Sequence, residues 1–129
     1  MSRIPEKVQL HRKSAILSLQ YADGTKFELP AEFLRVYSPS AEVRGHGQDV
    51  LQTGKRQVQI RDIESVGHYA IRLLFDDGHD SGIYSWDYLH QLGSEQEQRW
   101  KDYLDRLERD GGRRDPLPPG TQAIKIQEP

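Results

Sequence analysis

The side chains best suited to hold a metal or move a proton are five histidines, His11, His46, His68, His79 and His90. His79 stands in the densest stretch of the chain, Phe75–Leu89, which holds a turn signal, carboxylates, glycines and aromatics together. Paired with His46 on the bend Gly45-His46-Gly47, and helped by Asp77 or Asp80, its imidazole could hold zinc or iron. The plainer alternative is that His79 closes a hairpin end and bonds loop backbone. Both readings stand at this point.

Other chemistries find no pattern. No histidine is followed two residues later by Asp or Glu, as the His-x-carboxylate part of an iron facial triad would require. Phosphate-binding glycine loops and the Gly-x-Ser-x-Gly elbow are missing, and Ser, His and Asp residues fall at no triad-like spacing. The absence of cysteine excludes thiol catalysis and every Cys-based zinc or iron–sulfur site within the chain. Tyr84, Trp86, Tyr88 and Phe33 could form an aromatic interaction surface, with Tyr84 and Trp86 its leading members; core packing is the competing role.

The elements that must position these residues can be read from periodicity. Residues 15–29 alternate as a hairpin around Asp23-Gly24, expected as a two-residue turn. Pro30 then opens a short helix over residues 30–36 that buries Phe33 and Leu34. Residues 41–57 read as loop with strand fragments, and 57–66 as a strand that bends or bulges. Tyr69, Ile71, Leu73 and Phe75 share one face of the next strand. Asp77-Gly78 repeats the turn, and Ser85 is placed to cap a helix carrying Trp86, Leu89 and Leu92, with Gly93 as its stop. Ser94 and Glu97 form a capping box for a longer helix, whose stripe is Trp100, Tyr103, Leu104 and Leu107. Residues 1–13, with Val8 and Leu10 alternating, are either a short edge strand or a loose arm.

Residues 19–34 and 73–89 thus echo one another: strand, Asp-Gly turn, strand, short helix. The expected fold is α+β, a largely antiparallel sheet layer built from two hairpin–short-helix units, plus a C-terminal amphipathic helix. The domain is expected over residues 1–110. A Pro/Gly-rich tail fills 111–129, with Ala123–Ile126 its one apolar spot.

With 18 basic and 20 acidic residues the chain has net charge −2, so nothing invites nucleic acid or an anionic membrane surface. No apolar run reaches the ~18 residues of a membrane span, and no signal peptide is visible, so a cytoplasmic protein is expected.

Two blocks carry a resemblance. Leu29 to His46, with Asp77 to Leu89 following in the right order and spacing, resembles a stand-alone bacterial member of the gamma-butyrobetaine hydroxylase-like N-terminal domain family, over about residues 8–108. The resemblance implies a domain that precedes the oxygenase jelly roll in full-length hydroxylases and holds a structural zinc there through three cysteines and one histidine. The cysteine positions fall on Ser38, Ser40 and Val43 here, and the histidine on His79. With three ligands replaced, the family's zinc site is not expected to survive, and hydroxylase activity, which belongs to the missing second domain, is not implied. Related domains fused to P-loop iron–sulfur carrier proteins of the Mrp type suggest an accessory role. The expectation is therefore a non-enzymatic accessory or protein-interaction module with an unknown protein partner, linked to iron–sulfur or oxygenase biochemistry. The alternative is a zinc- or iron-binding protein using His79, His46 and Asp80.

Overall fold

Two three-stranded antiparallel meanders, each delivering its chain into a short helix, make up most of the computed structural model, which describes residues 4–40 and 51–115. The first comprises β1 (Lys7–His11), β2 (Ile16–Gln20) and β3 (Lys26–Pro30), followed by α1 (Ala31–Val36). The second comprises β4 (Ile60–Val66), β5 (Ala70–Phe75) and β6 (Gly82–Ser85), followed by α2 (Trp86–Ser94). The longest helix, α3 (Gln96–Asp110), is the last of the described elements. The α+β class and antiparallel pairing are as expected, but the strands form two separate sheets rather than one layer.

The buried faces of both sheets feed one core. Leu17, Leu19 and Leu29 from the first meet Ile60, Ile71, Leu73, Phe75 and Tyr84 from the second, with Phe33, Leu34, Leu89 and Leu92 from the short helices. Core residues recur every second position, Leu17 and Leu19 on β2 and Ile71, Leu73 and Phe75 on β5, as the pleat demands, and Ser18 on the other face of β2 is buried as well. The strand expected over 57–66 begins at Ile60, and the bend or bulge expected within it is a register shift between Ile60 and Asp62.

Both Asp-Gly turns are three-residue loops, not two-residue ones. Tyr21 N–H donates to the Thr25 carbonyl at 2.9 Å, and Phe75 N–H to the His79 carbonyl at 2.9 Å. Gly24 and Gly78 take the left-handed conformation, φ 91° and 90°, that such a bulged loop requires.

Three local expectations fail for physical reasons. Helix α2 runs through Gly93 to Ser94, and Glu95 alone separates it from α3, so Ser94 is helical and cannot cap α3. Tyr69 is 62% exposed because it precedes β5 in the turn rather than continuing its inward face. Leu104 sits at the solvent edge of the α3 stripe, while Tyr103 and Leu107 are buried with Val36. Beyond α3, residues 111–115 run back along the loop before β4: Gly54 and Arg56 N–H donate to the carbonyls of Arg113 and Arg114 at 2.7 and 2.9 Å. His46, Val43 and Ala123–Ile126 lie outside the described residues.

Candidate functional site

Four polar side chains converge where the segment after α1 meets the β5–β6 hairpin. Ser38 Oγ and His79 Nε2 share a hydrogen bond of 2.8 Å. Ser40 N–H donates to Ser38 Oγ at 3.3 Å, and the Ser40 and Ser81 hydroxyls share one at 2.7 Å. Ser38, His79 and Ser40 are 1%, 4% and 6% exposed, and Ser81 is exposed. A buried imidazole and buried hydroxyls are costly unless bonded, so each of these bonds also holds the chain in place.

Local structure explains the convergence. Pro39 forces the chain out of α1, and Ser38 N–H still bonds back to the Arg35 carbonyl at 3.4 Å, leaving the Ser38 side chain against the hairpin. His79 is the first residue past the bulged loop, paired with Phe75, and its backbone N–H donates to Asp77 Oδ1 at 3.1 Å. Gly82 provides the room: a Cβ there would stand 2.7 Å from Ser38 Oγ and 3.0 Å from the Tyr84 ring.

Asp77 anchors the arrangement rather than joining it. Arg35 Nε and Lys55 Nζ donate to its Oδ2 at 2.8 and 2.6 Å. Burial alone would raise its pKa, but the bonds from Lys55, from the His79 N–H and from Arg35 outweigh it and hold the carboxyl at about 2. Arg35 Nη1 is buried and finds no partner among the described residues, so the guanidinium depends on Asp77 for its counter-charge.

Of the residues expected at a metal site, His46 lies outside the described residues, and His79, Asp77 and Asp80 do not by themselves form one. Asp80 is exposed, Asp77 is committed to two cations, and among the described residues no three His, Cys, Asp or Glu side chains cluster to hold an ion. A zinc site does not fit what stands at the family positions within the described residues. Ser38 and Ser40 offer neutral hydroxyls where zinc takes thiolate, imidazole or carboxylate, and His79 Nε2 already faces Ser38.

Nor is Tyr84 a surface residue. It is 0% exposed because it points inward opposite Ile71 on β6, and its hydroxyl donates to the Leu34 carbonyl. Burial pushes its phenol well above the usual value, with the neighbouring Ser38 hydroxyl acting in the opposite direction. Trp86 is half-buried, donating its indole N–H to the His68 carbonyl at 3.0 Å. Reading residues singly missed Ser38 and Ser40, since isolated serines carry no spacing signal; only the family resemblance marked them. Ser85 caps α2 as expected, accepting from Tyr88 N–H at 3.0 Å.

Comparison with known proteins places this geometry. The family described as gamma-butyrobetaine hydroxylase-like, N-terminal, matches residues 8–90. Two solution NMR structures are similar along nearly the whole chain. One is 49% identical, covering 97% of this chain and 100% of the other, with TM-score 0.82. The second is 46% identical, covering 98% and 95%, with TM-score 0.78. A crystal structure of a protein of unknown function from Acidithiobacillus ferrooxidans, assigned to the DUF971 family, is 38% identical over 70% of this chain and 93% of that one, with TM-score 0.60. No curated protein matches. On the family match and these identities, the chain belongs to the gamma-butyrobetaine hydroxylase-like N-terminal domain family.

Proposed function

We propose that this protein is a non-enzymatic accessory module that works by docking onto a protein partner in iron–sulfur or oxygenase biochemistry, in the cytoplasm. One observation carries the reading. Where polar side chains converge, they bond one another: Ser38 to His79, and Ser40 to Ser81. A general base needs a free lone pair within reach of substrate, and a nucleophile needs an activating base and access. His79 and Ser38, both nearly fully buried, instead hold the segment after α1 to the hairpin. The near-neutral charge gives no support to a nucleic-acid partner. Among the described residues no helix is long and apolar enough to cross a membrane.

The test is twofold. The intact chain, immobilised, should capture from native extract a protein that rebinds it as a purified pair with a saturable isotherm. Incubated with a small-molecule extract, the wild-type chain and a His79→Ala chain should leave the same mass spectrum. Turnover of any metabolite by the purified chain, abolished by His79→Ala or Asp80→Ala, overturns the proposal.

A further inference from the structure

An open pocket of about 570 Å³ lies where α1, the end of α2 and the start of α3 meet. Pro30, Phe33 and Trp100 give it apolar walls, and Arg114 forms one side. Arg114 is fixed there. Its Nε and Nη2 donate to Glu32 at 3.0 and 2.8 Å, and its guanidinium carbon lies 5.0 Å from the centre of the Trp100 ring. Asp115 is held in turn by Arg56 at 2.8 Å. The chain is therefore delivered to the rim of the pocket and continues from there as Pro116-Leu117-Pro118-Pro119.

The composition of that continuation matches the pocket. Proline fixes φ, so a proline-rich segment loses little entropy on docking, and aromatic-lined grooves are the usual receptors for such extended chains. At about 3.1 Å per residue, two or three residues of extended chain span less than about 10 Å, a reach on the scale of the pocket that Arg114 lines. A short tether also sets an effective concentration of roughly millimolar, enough for a weak apolar contact to form within one molecule. We propose that Pro116–Pro119 of this chain occupies the pocket, with Leu117 against Trp100 and Phe33. The occupant is internal, so a proline-rich partner must displace it. The inference does not depend on the accessory role proposed above.

In the full chain at low concentration, nuclear Overhauser contacts are expected between the Leu117 methyls and the ring protons of Trp100 and Phe33. Leu117→Asp should abolish them and shift the Trp100 indole N–H signal, while core signals from Tyr84 and Leu89 stay in place. A synthetic peptide spanning residues 114–121, added to the full-length Leu117→Asp chain, should move the Trp100 signal back toward its wild-type position. An unmoved Trp100 signal in Leu117→Asp overturns the proposal. So do contacts that grow with protein concentration, which would assign the pocket to a second copy's segment. Equal binding of the peptide to wild-type and Leu117→Asp chains also overturns it, since the pocket would then be open to a partner.

Discussion

The meander β1–β3 with α1 and the meander β4–β6 with α2 follow the same course, yet one is scaffold and the other carries the polar cluster. Each turns through an Asp-Gly loop in which the Asp side chain accepts from the backbone two residues on, Asp23 from Thr25 at 2.9 Å and Asp77 from His79 at 3.1 Å. They part just beyond the loop: the pairs Tyr21–Thr25 and Leu19–Phe27 keep one register, whereas Phe75–His79 is followed by Leu73–Gly82, with one extra residue on the returning strand. Opposite Leu19 stands Phe27, which packs against Tyr21 and His90; opposite Leu73 stands Gly82, which leaves space for Ser38. The second loop is also clamped from outside by Arg35 and Lys55. A similar hairpin thus becomes a polar clasp when one residue is added to its return strand, a glycine stands where the other has an aromatic, and the turn Asp is given two cations to hold, one of them buried.

The largest break in that parallel should come at the turn Asp. Asp77→Asn leaves the Arg35 guanidinium, whose side chain is 9% exposed, without its counter-charge, and should cost about 3 kcal/mol in urea unfolding. Asp23→Asn, at the exposed equivalent, should stay within about 0.5 kcal/mol. The pH dependence rests on the same group. Asp77 is lowered from 3.8 to about 2 in the folded chain, so its contribution is present above the higher value and is lost as pH falls through the lower one. Wild type should therefore lose stability relative to Asp77→Asn between about pH 4 and pH 2, and parallel acid titrations of the two would refute the clamp.

Next in size is Gly82→Ala. Its Cβ would meet Ser38 Oγ at 2.7 Å and the Tyr84 ring at 3.0 Å, both held by other bonds, so overpacking should cost about 2 kcal/mol. A neutral result would mean that the space opposite Leu73 is not what separates the two units. Ser38→Ala should cost about 1.5 kcal/mol by leaving the His79 imidazole without that partner, and the His79 ring signals should shift with it.

The parts of this molecule legible in its sequence are those set by local interactions. The Asp-Gly turns, the Ser85 cap and the inward positions Leu17, Leu19, Ile71, Leu73 and Phe75 are set by neighbours in sequence, and all were legible. The loop length was not, because a left-handed glycine suits a two-residue turn and a bulged loop alike; the cross-strand pair decides. The Ser94 capping pattern misled because α2 and α3 abut, and a serine inside one helix cannot cap the next. The clasp was the least legible part. Ser38 and His79 are 41 residues apart, and no spacing rule links them. Of His79, Asp80 and Ser81, which the hairpin alone left unexplained, His79 and Ser81 prove to face the segment after α1, while Asp80 is exposed.

The two units should agree where they are equivalent, and they offer a control. Gly24 and Gly78 have nothing within reach of an added Cβ and share a left-handed φ, so Gly24→Ala and Gly78→Ala should each cost about 1 kcal/mol, all of it backbone strain. A much larger loss at Gly78 would mean that the second loop is strained by what it holds.

The smallest expected effect concerns metal. If hydrogen bonds among Ser38, His79, Ser40 and Ser81 fasten the second unit to α1, the fastening needs no ion. Binding to the folded state alone would raise stability by about 2.7 kcal/mol at a hundredfold excess over Kd, so a resident metal is easy to detect by removing it. Thermal unfolding with a strong chelator, and again with added zinc or ferrous ion, should give one and the same Tm. The His79 ring signals should likewise stay where they are under excess metal. A Tm that falls with chelator and recovers with zinc would show that His79 gives up Ser38 for an ion held with ligands outside the described residues, His46 first among them. The distinction between a clasped unit and a plain one would then rest on coordination rather than on the hydroxyl that Gly82 admits.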